Sequence, residues 1–420
     1  MASDQKPAIP EFVQTARAQI EELDRWQQIT EREAQMAYDM TLRNELSGGT
    51  PVVREFERRW RERTGLKHAI TTVNGTSALY SAYFGLGVGP GDEVICPTFT
   101  WIASISPALF LGARPVFCET NPSSLTLDPE DVRRRITPNT RAILVVHLWG
   151  WVADLDALTA ISRETGIPII EDCSHAHGAT YQGRWVGSYG KVACWSLQGS
   201  KPVSSGEGGI LATDDDEVFD RACLVGQVNR IAGVDLAQEK YRYLQPLGLG
   251  NKFRAHPVGI GIASVQLDKL DDLNARRGRY VAEVEAALAD IPWLRPITSA
   301  AGSQRGGYYG FPVRYVAEAA GGASTDKMIE AINRAGVPAT ACPYSLLHRL
   351  PLFAQGFDLF TRNRGPLSGD YAGYKEGDFP VTEELVSNLI FLPVLSDPIP
   401  GAAGLIAEAL KKAGEIARRL

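Results

Sequence analysis

The runs Ala142-Ile143-Leu144-Val145-Val146-His147 and Ile167-Pro168-Ile169-Ile170-Glu171 are short, aliphatic and free of charge until their ends. Between them, residues 154–164 read as a helix, so this stretch spells one strand–helix–strand unit. Strands that are apolar at nearly every residue are buried on both faces, which is the habit of parallel sheets. The same alternation extends outward in both directions. Strands are expected at 69–73, 93–96, 115–118, 193–197 and 210–213 as well, and helices at 76–86, 102–111 and 129–136. The expected fold class is α/β, a large and mostly parallel sheet sandwiched by helices. Ligands of such sheets gather at the carboxyl ends of the strands.

After residue 213 the pattern changes. Residues 214–256 are less regular, contain Gly226, Gly233, Gly248 and Gly250, and read as a loop at an active site or an interface. A long helix is expected over 257–289, with Val265, Leu267, Leu270 and Leu273 at helical spacing and Pro292 ending it. The remainder reads as a smaller α+β domain, with a strand near 310–315, a helix over 325–335, then a strand, a loop and a last helix. That helix places Ile406, Leu410, Ala413, Ala417 and Leu420 on one stripe, a core-packing face. The expected division is 1–63, an N-terminal arm and helices; 64–256, the large domain; 257–290, a connecting helix; and 291–420, the small C-terminal domain.

Composition narrows the function. The chain has 420 residues with 43 Lys+Arg against 49 Asp+Glu, and this slight acidity argues against nucleic acid as a partner. Its most basic stretch, 54–63, interleaves Glu55, Glu57 and Glu62 with the arginines and spaces Phe56 and Trp60 as i, i+4, which reads as a solvated helix face with an apolar anchor. Six cysteines lack any Cys-x-x-Cys pair and read as buried reduced thiols, with no metal site expected. The start has no apolar signal core, and the longest near-apolar run, 101–113, is too short to span a bilayer. A cytoplasmic protein without a membrane partner is expected.

Four constellations at strand ends carry chemistry. Ser196-Leu197-Gln198-Gly199-Ser200-Lys201 follows an apolar strand and precedes the return Gly206-Glu207-Gly208-Gly209. A lone lysine is ordinarily a solvated charge; here desolvation can lower its pKa and turn the amine into a nucleophile for a carbonyl. Glu171-Asp172-Cys173-Ser174-His175-Ala176-His177-Gly178 delivers an acidic pair to a strand's edge, where Asp172 either caps a turn or pairs with a cation such as a protonated pyridine nitrogen. Asn74-Gly75-Thr76-Ser77 opens a helix and is either a plain N-cap or a phosphate cradle. Pro97-Thr98-Phe99-Thr100-Trp101 offers an indole, for the core or for stacking on a flat ligand. Together they supply an amine, a carboxylate, a cradle and a stacking plate, a set that fits pyridoxal 5′-phosphate (PLP). No Gly-x-Gly-x-x-Gly follows the first strand, which lowers a nicotinamide reading.

On these motifs the sequence closely resembles the fold type I, PLP-dependent sugar and cyclitol aminotransferases of the DegT/StrS type. The resemblance also takes in Ser47-Gly48-Gly49, residues 147–150, Gly250-Asn251-Lys252-Phe253-Arg254 and Gln266-Leu267. It implies that Lys201 forms the Schiff base to the cofactor and shuttles protons, and that Asp172 pairs with the pyridine nitrogen. It implies further that Trp101 stacks on the ring, that Thr76, Ser77 and Ser196 bind the phosphate, and that His175 lies next to the phenolic oxygen, where many relatives carry Gln. Asn251 matches a residue that in relatives reaches the phosphate of the neighbouring subunit, so a homodimer with shared active sites is implied.

Family members that dehydrate or deoxygenate sugars replace the lysine with histidine, so Lys201 favours transamination. Ser196-Leu197-Gln198 looks like the scyllo-inosose and deoxy-scyllo-inosose aminotransferase branch, although Leu197 stands where Phe is common. The expected activity moves an amino group from an amino acid, L-glutamine, to a keto-cyclitol or keto-sugar in aminocyclitol or amino-sugar natural-product (antibiotic) biosynthesis. The alternatives are a nucleotide-sugar aminotransferase and a PLP-dependent lyase or dehydratase. Trp149, Gln227, Tyr344 and His348 are candidates for the acceptor pocket.

Overall fold

The computed structural model of the protein describes residues 21–233 and 236–418; the segment before residue 21 and Leu420 lie outside them. The strands that precede the long helix are β1 (His68–Thr72), β2 (Glu93–Pro97), β3 (Arg114–Cys118), β4 (Thr140–Val146), β5 (Ile169–Asp172), β6 (Thr180–Tyr181), β7 (Arg184–Trp185), β8 (Val192–Ser196) and β9 (Gly209–Thr213). A seven-stranded sheet runs in the order β1-β9-β8-β5-β4-β2-β3. Strand β9 is antiparallel to both its neighbours and the other pairings are parallel, so the sheet is mostly parallel.

The side-chain alternation of a strand explains the layers. In β4, Ala142, Leu144 and Val146 enter one core and Ile143 and Val145 enter the other. The first core is roofed by the helices Gly75–Gly85 and Asp216–Gly226, the second by Pro51–Thr64, Leu155–Thr165 and the first half of Pro257–Ala287. Both faces are therefore dry, as the aliphatic strands required.

Beyond the long helix come β10 (Leu294–Pro296), β11 (Ser303–Gln304), β12 (Phe311–Tyr315), β13 (Thr340–Ala341) and β14 (Leu389–Leu392). Four of them form an antiparallel sheet, β10-β12-β14-β13, while β11 joins β6 and β7. The helix Thr325–Arg334 packs against the last helix, Ala402–Ala417, whose Ile406, Leu410, Ala413 and Ala417 are all buried. Among the described residues no helix is long and apolar enough to cross a membrane. The six thiols are free, and all but Cys342 are buried.

Three expectations need correction. Residues 102–111 are not one helix: a 3-10 turn, Ile102–Ser104, is followed by a separate helix, Ser106–Phe110. Pro107 sits in the first turn of the second helix, where its missing N–H costs nothing, and it could not have continued the first. Residues 214–256 are not merely irregular, since Asp216–Gly226 is a regular helix whose N-cap, Asp215, accepts from the Val218 amide. Its buried stripe of Val218, Phe219, Ala222 and Cys223 was masked by the glycines that follow. Glu57 is not part of a solvated face: it is buried, pairs with Arg230 and accepts from the amide and hydroxyl of Thr71.

Glu171, on β5, is fully buried and braces the turn after β7. Its carboxylate accepts from the amides of Gly187, Tyr189 and Gly190 and faces His147 Nε2 at 3.0 Å. Burial alone would raise its carboxyl, but the bonds from His147 and these amides hold it below the ordinary range. A depressed carboxyl contributes stability above its unfolded pKa and loses it as pH falls. Glu171→Ala is expected to cost about 3 kcal/mol, because it strands one buried and two part-buried amides and the buried His147 ring. Denaturant melts should show that loss at pH 7, and the gap to wild type should narrow below pH 4.5.

Candidate active site

The carboxyl ends of β1, β2, β4, β5 and β8 open into one cavity of about 520 Å³. Asn74, Gly75, Thr76, Thr100, Trp101, Ser104, Asp172, His175, Ser196, Gln198, Lys201, Glu207, Tyr309 and Tyr344 are among the groups that line it. A second hollow, of about 970 Å³, lies at the amino ends of β4, β5 and β8 and holds none of the candidate chemistry.

Its floor is β5. Because successive side chains alternate, the neighbour of the buried brace Glu171 must face the other way, and Asp172 therefore turns into the cavity. There Ser104 Oγ donates to Asp172 Oδ2 at 2.7 Å and the Ser174 amide to Oδ1 at 3.1 Å. Both bonds fix the orientation of the carboxylate, a group suited to pair with a pyridinium N–H.

One end of the cavity is the start of the helix Gly75–Gly85. Asn74 caps it, its Oδ1 accepting from the Ser77 amide at 2.8 Å. First-turn amides without helical acceptors, together with the dipole's positive end, suit a phosphate. Ser196 lies against this turn, so close that a Cβ on Gly75 would stand 2.9 Å from its Cβ, and one on Gly209 would stand 2.5 Å from the Asn74 carbonyl. The small residues hold the hydroxyls of Thr76 and Ser196 around one spot. Ser77 does not line the cavity and offers its amide to the cap.

Lys201 follows β8 and is 93% removed from solvent, as its 7% exposure records. Burial pulls its amine down to about 7, with Asp172 opposing, so a substantial neutral fraction exists near neutrality. His175 is buried on the loop after β5, and burial with the nearby Lys201 and His177 pushes its imidazole well below the ordinary range. The Trp149 amide donates to His175 Nδ1 at 3.3 Å, which places the ring proton on Nε2. Nε2 faces the Tyr344 hydroxyl at 3.5 Å. Trp149 reaches this position with a left-handed backbone, φ +52°.

Trp101 is 55% exposed and tilts against the Tyr344 ring at 5.4 Å, so one indole face stays open to the cavity for stacking. The donor set fits PLP: an acid for the ring nitrogen, a cradle for phosphate, a flat wall for the ring and a buried amine for the aldehyde carbon.

Some candidates are elsewhere. Asn251 is exposed and does not line the cavity. Gln227 is buried and donates to the Thr71 carbonyl. His348 is buried between Thr98 and Glu383, and Trp149 packs between Phe99, Tyr344 and Phe391. Of the four acceptor-pocket candidates, Tyr344 alone lines the cavity. Two polar lining residues escaped the sequence reading. Ser104 was hidden in an apolar run, and Tyr309 lies over a hundred residues from the lysine it touches, with no local signal to mark it.

The family model described as the DegT/DnrJ/EryC1/StrS aminotransferase family matches residues 27–411. Among solved structures, the chain is similar to an aminotransferase from Psychrobacter cryohalolentis (27% identity, TM-score 0.80, covering 93% of this chain and 98% of that one). It is similar to 3-amino-5-hydroxybenzoic acid (AHBA) synthase (28%, TM-score 0.78, 95% and 99%). It is also similar to DesV from S. venezuelae, solved in complex with a ketimine intermediate (29%, TM-score 0.75, 92% and 95%). With the amine, carboxylate, cradle and stacking wall gathered at the carboxyl edge of a mostly parallel sheet, the chain belongs to the DegT/DnrJ/EryC1/StrS family of fold type I, PLP-dependent aminotransferases.

Proposed function

We propose that this aminotransferase moves an amino group from an amino acid, L-glutamine, to a keto-cyclitol or keto-sugar destined for an aminocyclitol or amino-sugar natural product. The observation that carries the reading is the convergence of Lys201, Asp172 and Trp101 on one cavity with Gln198 at its rim. The sequence Ser196-Leu197-Gln198 and the similarity to AHBA synthase favour a carbocyclic acceptor. Bound PLP supplies an electrophilic carbon and an electron sink. Lys201 would be the amine that bonds that carbon and, when free, the base that holds and returns a proton at Nζ. Asp172 would pair with the ring nitrogen, and Ser104 aims its carboxylate. His175 would offer Nε2–H to the phenolic oxygen, Thr76 and Ser196 would hold the phosphate, and Trp101 would cover the ring.

The same reading makes residues 64–256 the cofactor-binding part and 291–420 the small domain that brings Tyr309 and Tyr344 to the cavity. It makes the working form a homodimer. Asn251 is exposed, and on the same segment Tyr243, Leu247 and Leu249 are 78%, 63% and 49% exposed, an apolar strip suited to a second copy. Asn251 would then reach the other subunit's phosphate. With its six thiols reduced, the enzyme belongs in the cytoplasm.

Asp172→Asn should retain the fold and bind PLP yet lose at least about 100-fold in the donor half-reaction, read as conversion of the PLP absorbance to the pyridoxamine form. Lys201→Ala should lose turnover altogether; full activity in that variant would refute the assignment. The pyridoxamine form, offered a panel of keto-cyclitols and nucleotide-linked keto-sugars, should regain the PLP spectrum with a keto-cyclitol. Regain only with nucleotide sugars would move the enzyme to that class, and no conversion by any amino donor would point to a lyase. Mixing Lys201→Ala with Asn251→Ala protein should restore activity that neither has alone, through one intact site per mixed dimer.

A further inference from the structure

Tyr309 stands on the small-domain side of the cavity, on a loop that is built at some cost. Tyr308 has φ +43° and Gly307 φ +73°. A non-glycine residue in that region costs about 1–2 kcal/mol, so surrounding contacts must hold it. They are on the long helix. Asn274 Oδ1 accepts from the Gly307 amide and Asn274 Nδ2 donates to the His177 carbonyl, each at 2.9 Å, while Arg277 Nη1 donates to the Gly307 carbonyl at 2.6 Å. One asparagine thus pins the Tyr309 loop to the loop that carries His175.

The result is a specific position for one ring. Lys201 Nζ lies 3.7 Å from the centroid of Tyr309. The ring stacks on His175 at 4.3 Å and 22°, and the hydroxyl shares a 2.7 Å bond with Ser200 Oγ, which also donates to Gln198 Oε1. Tyr309 therefore touches both the Lys201 amine and the His175 imidazole.

We propose that the face of Tyr309 is the docking surface of the Lys201 amine whenever it is not bonded to the cofactor, and that it favours the protonated amine formed during proton transfer. In that step the Nζ–H bond forms as the donor's Cα–H bond breaks, the carbon electron pair passes to the cofactor's ring system, and the same proton is later returned to carbon. A ring quadrupole attracts a desolvated ammonium and is indifferent to the free amine. Burial works in the opposite direction, as do the imidazoles of His175 and His177 if they gain charge. Asp172 favours the ammonium, and the Glu207 carboxylate and the Tyr344 hydroxyl line the same cavity. Balanced between these, Lys201 can take a proton and give it back near neutral pH. The docking surface also keeps the released amine within reach instead of letting a long side chain wander.

The inference rests on Lys201 being the lysine that bonds PLP, and the test separates the two. Borohydride reduction of the PLP-loaded enzyme, followed by peptide mass spectrometry, should fix the cofactor on Lys201; fixation on another lysine would overturn the assignment itself. The enzyme loaded with pyridoxamine 5′-phosphate, in which the lysine is free, is then labelled with trace acetic anhydride across pH, and Lys201 acetylation is quantified. Tyr309→Leu, and pentafluorophenylalanine at position 309, should lower the apparent pKa of Lys201 by about one unit, while Tyr309→Phe leaves it unchanged. The fluorinated ring keeps the shape and removes the negative face, so it stands in if the leucine variant fails to fold. An unchanged pKa in the fluorinated variant would overturn the proposal. An equal drop in Tyr309→Phe would also overturn it, by assigning the effect to the hydroxyl bond with Ser200.

Discussion

Two adjacent acids at the end of one strand organise this molecule. Glu171 and Asp172 close β5, and the pleat of a strand sends them to opposite faces. On one face Glu171 is fully buried and gathers three amides and an imidazole, which ties the turn at residues 187–190 and the His147 loop to the centre of the sheet. On the other face Asp172 stands at the floor of the cavity with Ser104 and the Ser174 amide aligned on its oxygens. A one-residue slip in register would exchange the buried brace for the cavity-facing acid, and neither environment would tolerate the trade. The brace therefore holds the acid in register.

Around this floor the chemistry is set by burial and by loops aimed at short range. Burial lowers the pKa of the Lys201 amine, and His175 is a hydrogen-bond donor at Nε2 because the Trp149 amide occupies Nδ1. That amide is available only because Trp149 adopts a left-handed conformation between His147 and Gly150. On the opposite wall, Tyr308 and Gly307 are also left-handed and are held by Asn274 and Arg277. Strained backbone thus occurs on both sides of the cavity, and in each case it delivers a group to His175 or Lys201.

Much of the site was legible because its residues sit directly after strands. Asp172, Lys201, Thr76, Ser196 and Trp101 each lie within a few residues of an aliphatic run whose end could be read, and all five line the cavity. Ser104 was not legible: it is one serine in a stretch that scans as apolar helix, and its role depends on a 3-10 turn that sets it 2.7 Å from Asp172. The helix Asp216–Gly226 was obscured by glycines beyond it, although its aspartate cap and buried stripe were present. Glu57 looked solvated because its neighbours are, and its true partners, Arg230 and Thr71, are distant in sequence.

The order of strands and helices, the parallel character of the sheet and the residues available for chemistry follow from the chain's own pattern, because period-two burial and strand-end position are local properties. Whether a given polar group faces the site is not local. His348 and Gln227 were plausible lining residues and are instead buried among structural partners, while Tyr309, unremarked in the sequence, rests 3.7 Å from the Lys201 amine. Contacts of that kind are formed when the loop before β12 folds back onto the loop after β5. The two are brought together by a long helix that belongs to neither, and no spacing within either segment records it.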